Sequence, residues 1–457
     1  VRAAASVAAR RISKTLMKSP HFHRLVFPQS EFLTVYRALR EAARAGNPSS
    51  SLRRLGLSAR SEGLDLSLRP GEPDNASPLL EIAVHRRLTD FQPSPSPRCV
   101  ATLALGLDKE LGQAIGLIRM DGSPASIKPI SELHLVGPGM ERIALRAAPK
   151  PPAINEELWS RTRGARGEEP WRAGIRLRPA IIGCGRTGSA LASMLSRSGT
   201  RKMVLIDGDT IEPSNVGEMS LVGASAVGRP KVEAVADEIA RLGLGTRVIP
   251  VPHSVTSFAA LNAIRESDYL VTCTDHDGAR MAAAALSTTL LKPHLDVGIT
   301  IRRTANSSRE MGCDIRLTWP TERCLMCAGS LNDTEAAKHV LESAETERLL
   351  RETPRAWQTE TRAGSLGALN AMSCGFAVTL LECYADGLLT RNGLWVRVEF
   401  SARGLPSLRQ LTVPRPANCP VCALAGAGEA GLEQARELWA GGQTDGLAQP
   451  SASAAAR

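Results

Sequence analysis

From about residue 175 to 428, short apolar runs alternate with amphipathic stretches, and that alternation predicts strands and helices in turn. The runs at 180–182, 203–206, 248–251, 269–273 and 294–297 are of strand length and carry almost no polar positions, as buried parallel strands do. Residues 189–198 and 231–242 have helical spacing with one apolar face. Residues 369–384 are apolar nearly all round, which predicts a buried helix. Repeated βα units imply an α/β fold, a doubly wound, Rossmann-like and mostly parallel sheet. A further strand is expected at 316–319, and 396–400 with 409–413 resemble a closing hairpin.

The pattern before residue 150 is different. Residues 31–45 carry a helical stripe of Phe32, Leu33, Val35, Tyr36, Leu39 and Ala42. Short segments at 64–68, 99–105, 134–136 and 143–145 read as strands between Pro- and Gly-rich turns, a smaller N-terminal α+β domain. The expected organisation is a basic arm and small mixed domain at 1–150, and a linker with a charged helix bearing two tryptophans at 151–174. The α/β domain follows at 175–428, and a disordered Ala- and Gly-rich tail at 429–457.

A length of 457 residues suits two or three such domains, and 43% hydrophobic with 22% charged residues is a globular composition. No uninterrupted apolar run approaches the ~20 residues of a membrane span, so no membrane partner is expected. Aromatics are only 4% of the chain, which argues against stacked nucleic acid as a ligand. Residues 1–60 hold twelve Lys or Arg against Glu31 and Glu41, so the whole net charge of +10 lies there. That segment reads first as a solvated arm; binding to nucleic acid, a membrane surface or an acidic partner is the alternative. Its first thirty residues also have the Arg-, Ser- and Ala-rich, acid-free composition of an organelle transit peptide. Without an apolar signal core, a cytoplasmic location is expected.

Chemistry enters at Gly183-Cys184-Gly185-Arg186-Thr187-Gly188, a G-x-G-x-x-G between a strand and a helix. Gly183, Gly185 and Gly188 allow a tight turn and close backbone approach, and the helix N-terminus offers free N–H groups to a phosphate. Asp207, nineteen residues on, ends the second strand, where a carboxylate accepts from ribose hydroxyls. Up to this point ATP and NAD fit equally, so an NAD(P)-dependent oxidoreductase stays open. Cys324-Leu-Met-Cys327 and Cys419-Pro-Val-Cys422 are two knuckles about ninety residues apart. Four thiolates suit a closed tetrahedral Zn²⁺, which has no open position and is therefore structural.

Further motifs carry a family resemblance. The run from Val204 to Asn215 contains Asp207-Gly-Asp209 and Asn215, and resembles the D-x-D…N signature of the ThiF/MoeB/HesA adenylyltransferases, which include the ubiquitin-activating enzymes. Gly228-Arg-Pro-Lys231 resembles their G-x-x-K, and Cys273-Thr274-Asp275 their C-T-D. Trp159-Ser-Arg161 is similar to the motif ahead of the family's first strand, and the segment from Arg362 to Asn370 to its return after the crossover loop. The paired cysteines resemble the family's zinc site.

The resemblance implies ATP-dependent adenylation of the C-terminal carboxylate of a ubiquitin-like or sulfur-carrier protein, giving an acyl-adenylate and pyrophosphate. Asp207 and Asp209 would then lie at the nucleotide, Asn215 and Lys231 at its phosphates, and Asp275 at Mg²⁺. Arg161 would act as a cationic finger, possible across a homodimer interface, and a ubiquitin-conjugating-like enzyme is a further expected partner. One departure stands out. The family places an arginine three residues after the asparagine, where this chain has Glu218. Arg186 or Arg229 is the candidate to supply that charge, and a non-catalytic ubiquitin-activating-like scaffold is the alternative reading. No cysteine lies between 328 and 369, where thioester-forming members carry theirs. Cys184, Cys273, Cys313, Cys374 and Cys383 read as small core residues.

Overall fold

The computed structural model describes residues 155–303, 309–320, 322–328, 366–389, 393–401, 403–413 and 419–428, with shorter runs within 24–145. The arm before Arg24, most of the 31–45 helix, the charged stretch 331–354, the return segment before Leu366 and the tail beyond 428 lie outside the described residues. Two compact units make up the chain, one of residues 1–154 with the short stretches 288–291 and 424–432, the other of the remainder from residue 155 on.

The first unit holds a nine-stranded sheet. Its strands are β1 (Arg24–Pro28), β2 (Leu52–Ser58), β3 (Asp65–Leu68), β4 (Leu79–His85), β5 (Cys99–Gly106), β6 (Ile115–Arg119), β7 (Ile127–Ile130), β8 (Glu132–Val136) and β9 (Met140–Ala144). They lie in the order β7-β6-β5-β4-β2-β3-β1-β8-β9. The β1–β3, β1–β8 and β4–β5 pairs are parallel. Leu25, Phe27, Leu133 and Leu135 are buried there. The sheet is larger than the sequence pattern suggested. β2 has two arginines and a glycine among its leucines, and β7 has a proline, so neither shows clean alternation.

The second unit is an eight-stranded sheet ordered β12-β11-β10-β13-β14-β15-β16-β17. β10 (Pro179–Ile182), β11 (Lys202–Ile206), β12 (Arg247–Val251), β13 (Tyr269–Thr272) and β14 (His294–Arg303) are parallel. β15 (Arg309–Thr318), β16 (Leu394–Phe400) and β17 (Pro406–Leu411) add on antiparallel. This is the doubly wound, mostly parallel α/β sheet that the alternation predicts. β10 is buried along its whole length, whereas β12, at the edge, tolerates Pro250 because one of its sides needs no ladder donor. The chain winds outward from β10 to β12 and returns at β13, so the switch point lies between β10 and β13, where open α/β sheets place their ligand crevice.

The helices are α1 (Ser160–Arg166), α2 (Glu168–Arg176), α3 (Arg186–Arg197), α4 (Pro213–Val216), α5 (Lys231–Arg241), α6 (Phe258–Arg265), α7 (Asp277–Thr289) and α8 (Gly367–Ala385). The charged 156–172 stretch forms two helices rather than one, because Gly167, at φ +89°, breaks it. Trp159 and Trp171 donate their indole N–H groups to Arg197 O (3.1 Å) and Ser198 O (3.3 Å), docking that segment on the C-terminal end of α3. Among the described residues only α8 is long and apolar enough to cross a membrane. Here it packs on α3, β14 and β15, with Leu369, Cys374, Ala377, Leu381 and Tyr384 buried.

Candidate functional site

The loop after β10 is fixed by two close approaches. Gly183 sits at φ +89°, and a Cβ on it would lie 2.9 Å from the Cys273 carbonyl oxygen. A Cβ on Gly188 would lie 1.9 Å from Gly183 O, so α3 can pack against the loop only with glycine there. Nothing lies within 4 Å of a Cβ built on Gly185, which caps α3 with no side-chain partner and leaves open space above the helix start.

The end of β11 holds this loop down. Asp207 accepts from Cys184 N–H (2.7 Å) and Asp209 N–H (2.9 Å), one on each carboxylate oxygen. Burial raises its pKa, against the opposing pull of Lys231 and these two amides. The G-x-x-K segment is then laced to the D-x-D segment by backbone bonds. Gly228 N–H donates to Ile211 O (2.9 Å), Ile211 N–H to Arg229 O (2.9 Å) and Lys231 N–H to Asp209 O (3.0 Å). Lys231, at the start of α5, places its Nζ 2.8 Å from Asp209 Oδ2. Two motifs twenty-two residues apart thus meet beside the glycine loop.

Asn215 lies on α4, where its side chain accepts from Glu212 N–H (3.0 Å) and caps its own turn. Glu218 follows and forms an ion pair with Arg186 Nη2. Arg229 pairs instead with Asp237 on α5 (2.6 Å) and is partly exposed. Of the two arginines proposed to replace the family's missing one, Arg186 is therefore at the loop and Arg229 is turned to the helix surface. Asp275 is exposed in the turn after β13, the strand whose carbonyls back the loop, with His276 beside it. Arg161 is exposed on α1 and makes no hydrogen bond or ion pair among the described residues. The fold brings Gly183, Gly185, Arg186, Gly188, Asp207, Asp209 and Lys231 together at the switch point, with the Asp275 turn on the neighbouring strand; Arg161 is not joined to them.

Two features around this cleft escaped the sequence reading. Asn370 of α8 accepts from Thr187 Oγ1 (2.7 Å), and Cys374 Sγ contacts Thr187 O (3.4 Å), so α8 braces the loop from behind. On β14, Asp296 is 1% exposed and accepts from Thr272 Oγ1 (2.6 Å) and Arg316 Nη1 (2.9 Å), with Arg280 Nε at 3.2 Å. Burial pushes its carboxyl up, but the two arginines and the hydroxyl outweigh this and hold the pKa below the ordinary value. Asp314 extends the network to Arg316, Arg397 and the Trp395 indole. An acid at the centre of the buried run His294-Leu-Asp296-Val was the available signal.

Cys184, Cys313 and Cys374 are buried, as small core residues would be, and burial raises all three thiols. Cys273 and Cys383 are only partly buried as whole residues.

The remaining cysteines form a cluster. Cys324, Cys327, Cys419 and Cys422 place their sulfurs within 4.8 Å of one another. Cys324 Sγ lies 3.7 Å from both Cys327 and Cys419 Sγ, and Cys327 Sγ 3.4 Å from Cys422 Sγ. Four ligands about 2.3 Å from a tetrahedral zinc are separated by about 3.8 Å, so the cluster fits that ion. Val413, Val421 and Ala328 pack around it.

A model of the ThiF family matches residues 164–394. The adenylyltransferase and sulfurtransferase MOCS3 of Sus scrofa is 32% identical over 96 residues, 21% of either chain. The molybdopterin-synthase adenylyltransferase of Escherichia coli (strain K12) is 31% identical over 103 residues, 22% of this chain and 41% of that protein. Ubiquitin-like modifier-activating enzyme 5 of Culex quinquefasciatus is 28% identical over 165 residues, 33% and 40% of the two chains. These matches span a fifth to two fifths of the relatives' lengths. Among solved structures, the microcin C7 biosynthetic enzyme MccB in complex with N-formylated MccA superposes with a TM-score of 0.45 at 17% identity, over 59% of this chain and 75% of that one.

Proposed function

We propose, from the premise that this chain belongs to the ThiF family, that it uses ATP to adenylate the C-terminal carboxylate of a ubiquitin-like or sulfur-carrier protein. The products are an acyl-adenylate and pyrophosphate. The observation that carries the reading is the lacing of Lys231 and Asp209 beside the glycine loop at the switch point. Lys231 would turn from Asp209 to the triphosphate, and Asn215 would face the phosphates from α4. Asp207 would keep the loop in place and meet the ribose. Asp275 would hold Mg²⁺, which draws charge from the leaving pyrophosphate. Arg161, on a separate helix, fits a role toward the nucleotide of a second copy, so a homodimer belongs to the proposal. Attack by a carboxylate on the α-phosphate needs positioned cations and no protein nucleophile.

The Arg186–Glu218 pair favours a second reading, a nucleotide-binding scaffold without catalysis. ATP–pyrophosphate exchange separates the two. Exchange that depends on a carrier protein and is lost in Asp275→Ala supports adenylation. ATP binding without exchange, across carriers ending in glycine, supports the scaffold.

A further inference from the structure

Arg186 and Glu218 are unequal partners. Arg186 opens α3, and its side chain is only 10% exposed, while that of Glu218 is 47% exposed. One guanidinium nitrogen, Nη2, meets Glu218. The other two, Nε and Nη1, are buried and have no hydrogen-bond partner. A buried guanidinium with unused donors is held ready for a ligand that can take the whole fork, and a phosphate does so where a single carboxylate oxygen does not. The surroundings favour an anion as well. α3 starts without a capping side chain and without an acid in its first turn. Asp207, which holds the glycine loop, has an amide hydrogen on each oxygen. The segment carrying Glu218 crosses this helix start, with Ser220 N–H bonded to Ser189 Oγ at 3.0 Å.

Resting on the reading of this cleft as an ATP site, we infer that Glu218 is a built-in competitor for the nucleotide's phosphate. Its carboxylate takes the anion position that Arg186 offers, and it swings to solvent when a phosphate enters. Arg186 is the fixed receptor and Glu218 the exchangeable plug. The net binding then depends on an anion strong enough to displace a carboxylate, so the pair selects multiply charged nucleotides over the uncharged nucleoside.

The test is the affinity of the full-length protein for ATP and for adenosine, measured by titration calorimetry. Glu218→Gln should tighten ATP about fivefold, the worth of one partly exposed ion pair, and leave adenosine unchanged. Arg186→Gln should weaken ATP at least about tenfold through lost charge-assisted hydrogen bonds, again without moving adenosine. Arg186→Lys keeps the charge but loses the fork, and guards against misfolding of the glutamine variant; its weakening should be intermediate. Combined with Arg186→Gln, the Glu218→Gln gain should vanish. ATP binding that Glu218→Gln leaves unchanged or weakens, or a gain that persists without Arg186, overturns the competitor alone. Absence of ATP binding by the unaltered chain overturns the ATP site and the competitor together.

Discussion

Lys231 and Asp209 are 2.8 Å apart, yet the Asp209 side chain is 63% exposed and the Lys231 side chain 11%. Water screens such a pair, which contributes under about 1 kcal/mol to folding. A cation placed on a triphosphate, by contrast, acts where charge moves during the reaction. Lys231→Gln should therefore shift the urea midpoint little, while ATP–pyrophosphate exchange falls by roughly 10² or more, as when a charge-stabilising donor is removed. Equal losses in both measurements would assign Lys231 to the fold. Gly188 makes the opposite case. Its substitution by alanine forces the new Cβ to within 1.9 Å of Gly183 O. Gly188→Ala should cost about 1–3 kcal/mol in denaturant unfolding and disturb nucleotide binding as well, because the loop must move. Both positions were legible in sequence, since a glycine fingerprint and a G-x-x-K segment are local. The Arg186–Glu218 pair was not. It joins residues thirty-two apart across a turn whose path no periodicity specifies.

Element by element, the sheet was readable where burial is uniform. β10, β11 and β13 are almost wholly buried, so their apolar runs announce them. α7 was missed for a related reason: Ala282, Ala283, Ala284 and Ala285 are all buried, so the helix shows no polar face to set a period. β14 and β15 run longer than their apolar segments, and the buried Asp296 on β14 is paired with Arg316 on β15 and with Arg280 on α7. That network makes a prediction about acid. His294 is 1% exposed, with Nε2 2.9 Å from Thr272 Oγ1. Burial chiefly, with Arg280 assisting and Asp296 opposing, lowers its pKa to about 4 from the ordinary 6.5. Between these values the unfolded chain binds the proton and the folded chain does not, so stability falls as pH falls from 6.5 to about 4. The loss over that window is roughly 3 kcal/mol for the one group. Asp296, with its pKa lowered, adds a loss only below the ordinary carboxylate value of 3.8. Urea midpoints for the unaltered chain should decline from pH 6.5 downward, and His294→Gln should flatten the decline above pH 4. An unchanged slope in that variant would place the acid sensitivity elsewhere.

At the scale of the whole chain, the cysteine cluster joins segments ninety-five residues apart in sequence. One pair follows β15 and the other follows β17, so the ion would clip together the ends of the antiparallel strands that no glycine motif reaches. The pairs were plain in sequence because each knuckle is local, and the single four-sulfur site expected of them is matched by four sulfurs within 4.8 Å of one another. Cross-linking a loop of ~100 residues removes about 4–5 kcal/mol of denatured-chain freedom in the simplest entropic model. Each kcal/mol moves the midpoint of a unit this size by about 2–4 °C, so loss of the clip should lower Tm on the order of 10 °C. The purified protein should contain one zinc per chain by atomic absorption, and Cys419→Ser or exhaustive chelation should remove it. The site lies among Val413, Val421 and Ala328 and shares no residue with the Lys231–Asp209 lacing, so exchange activity measured well below Tm should survive per folded molecule. A Tm shift under about 2 °C would mean that the strands hold without the ion. Exchange lost at a temperature where the zinc-free protein remains folded would mean that the metal acts on the chemistry rather than on the fold.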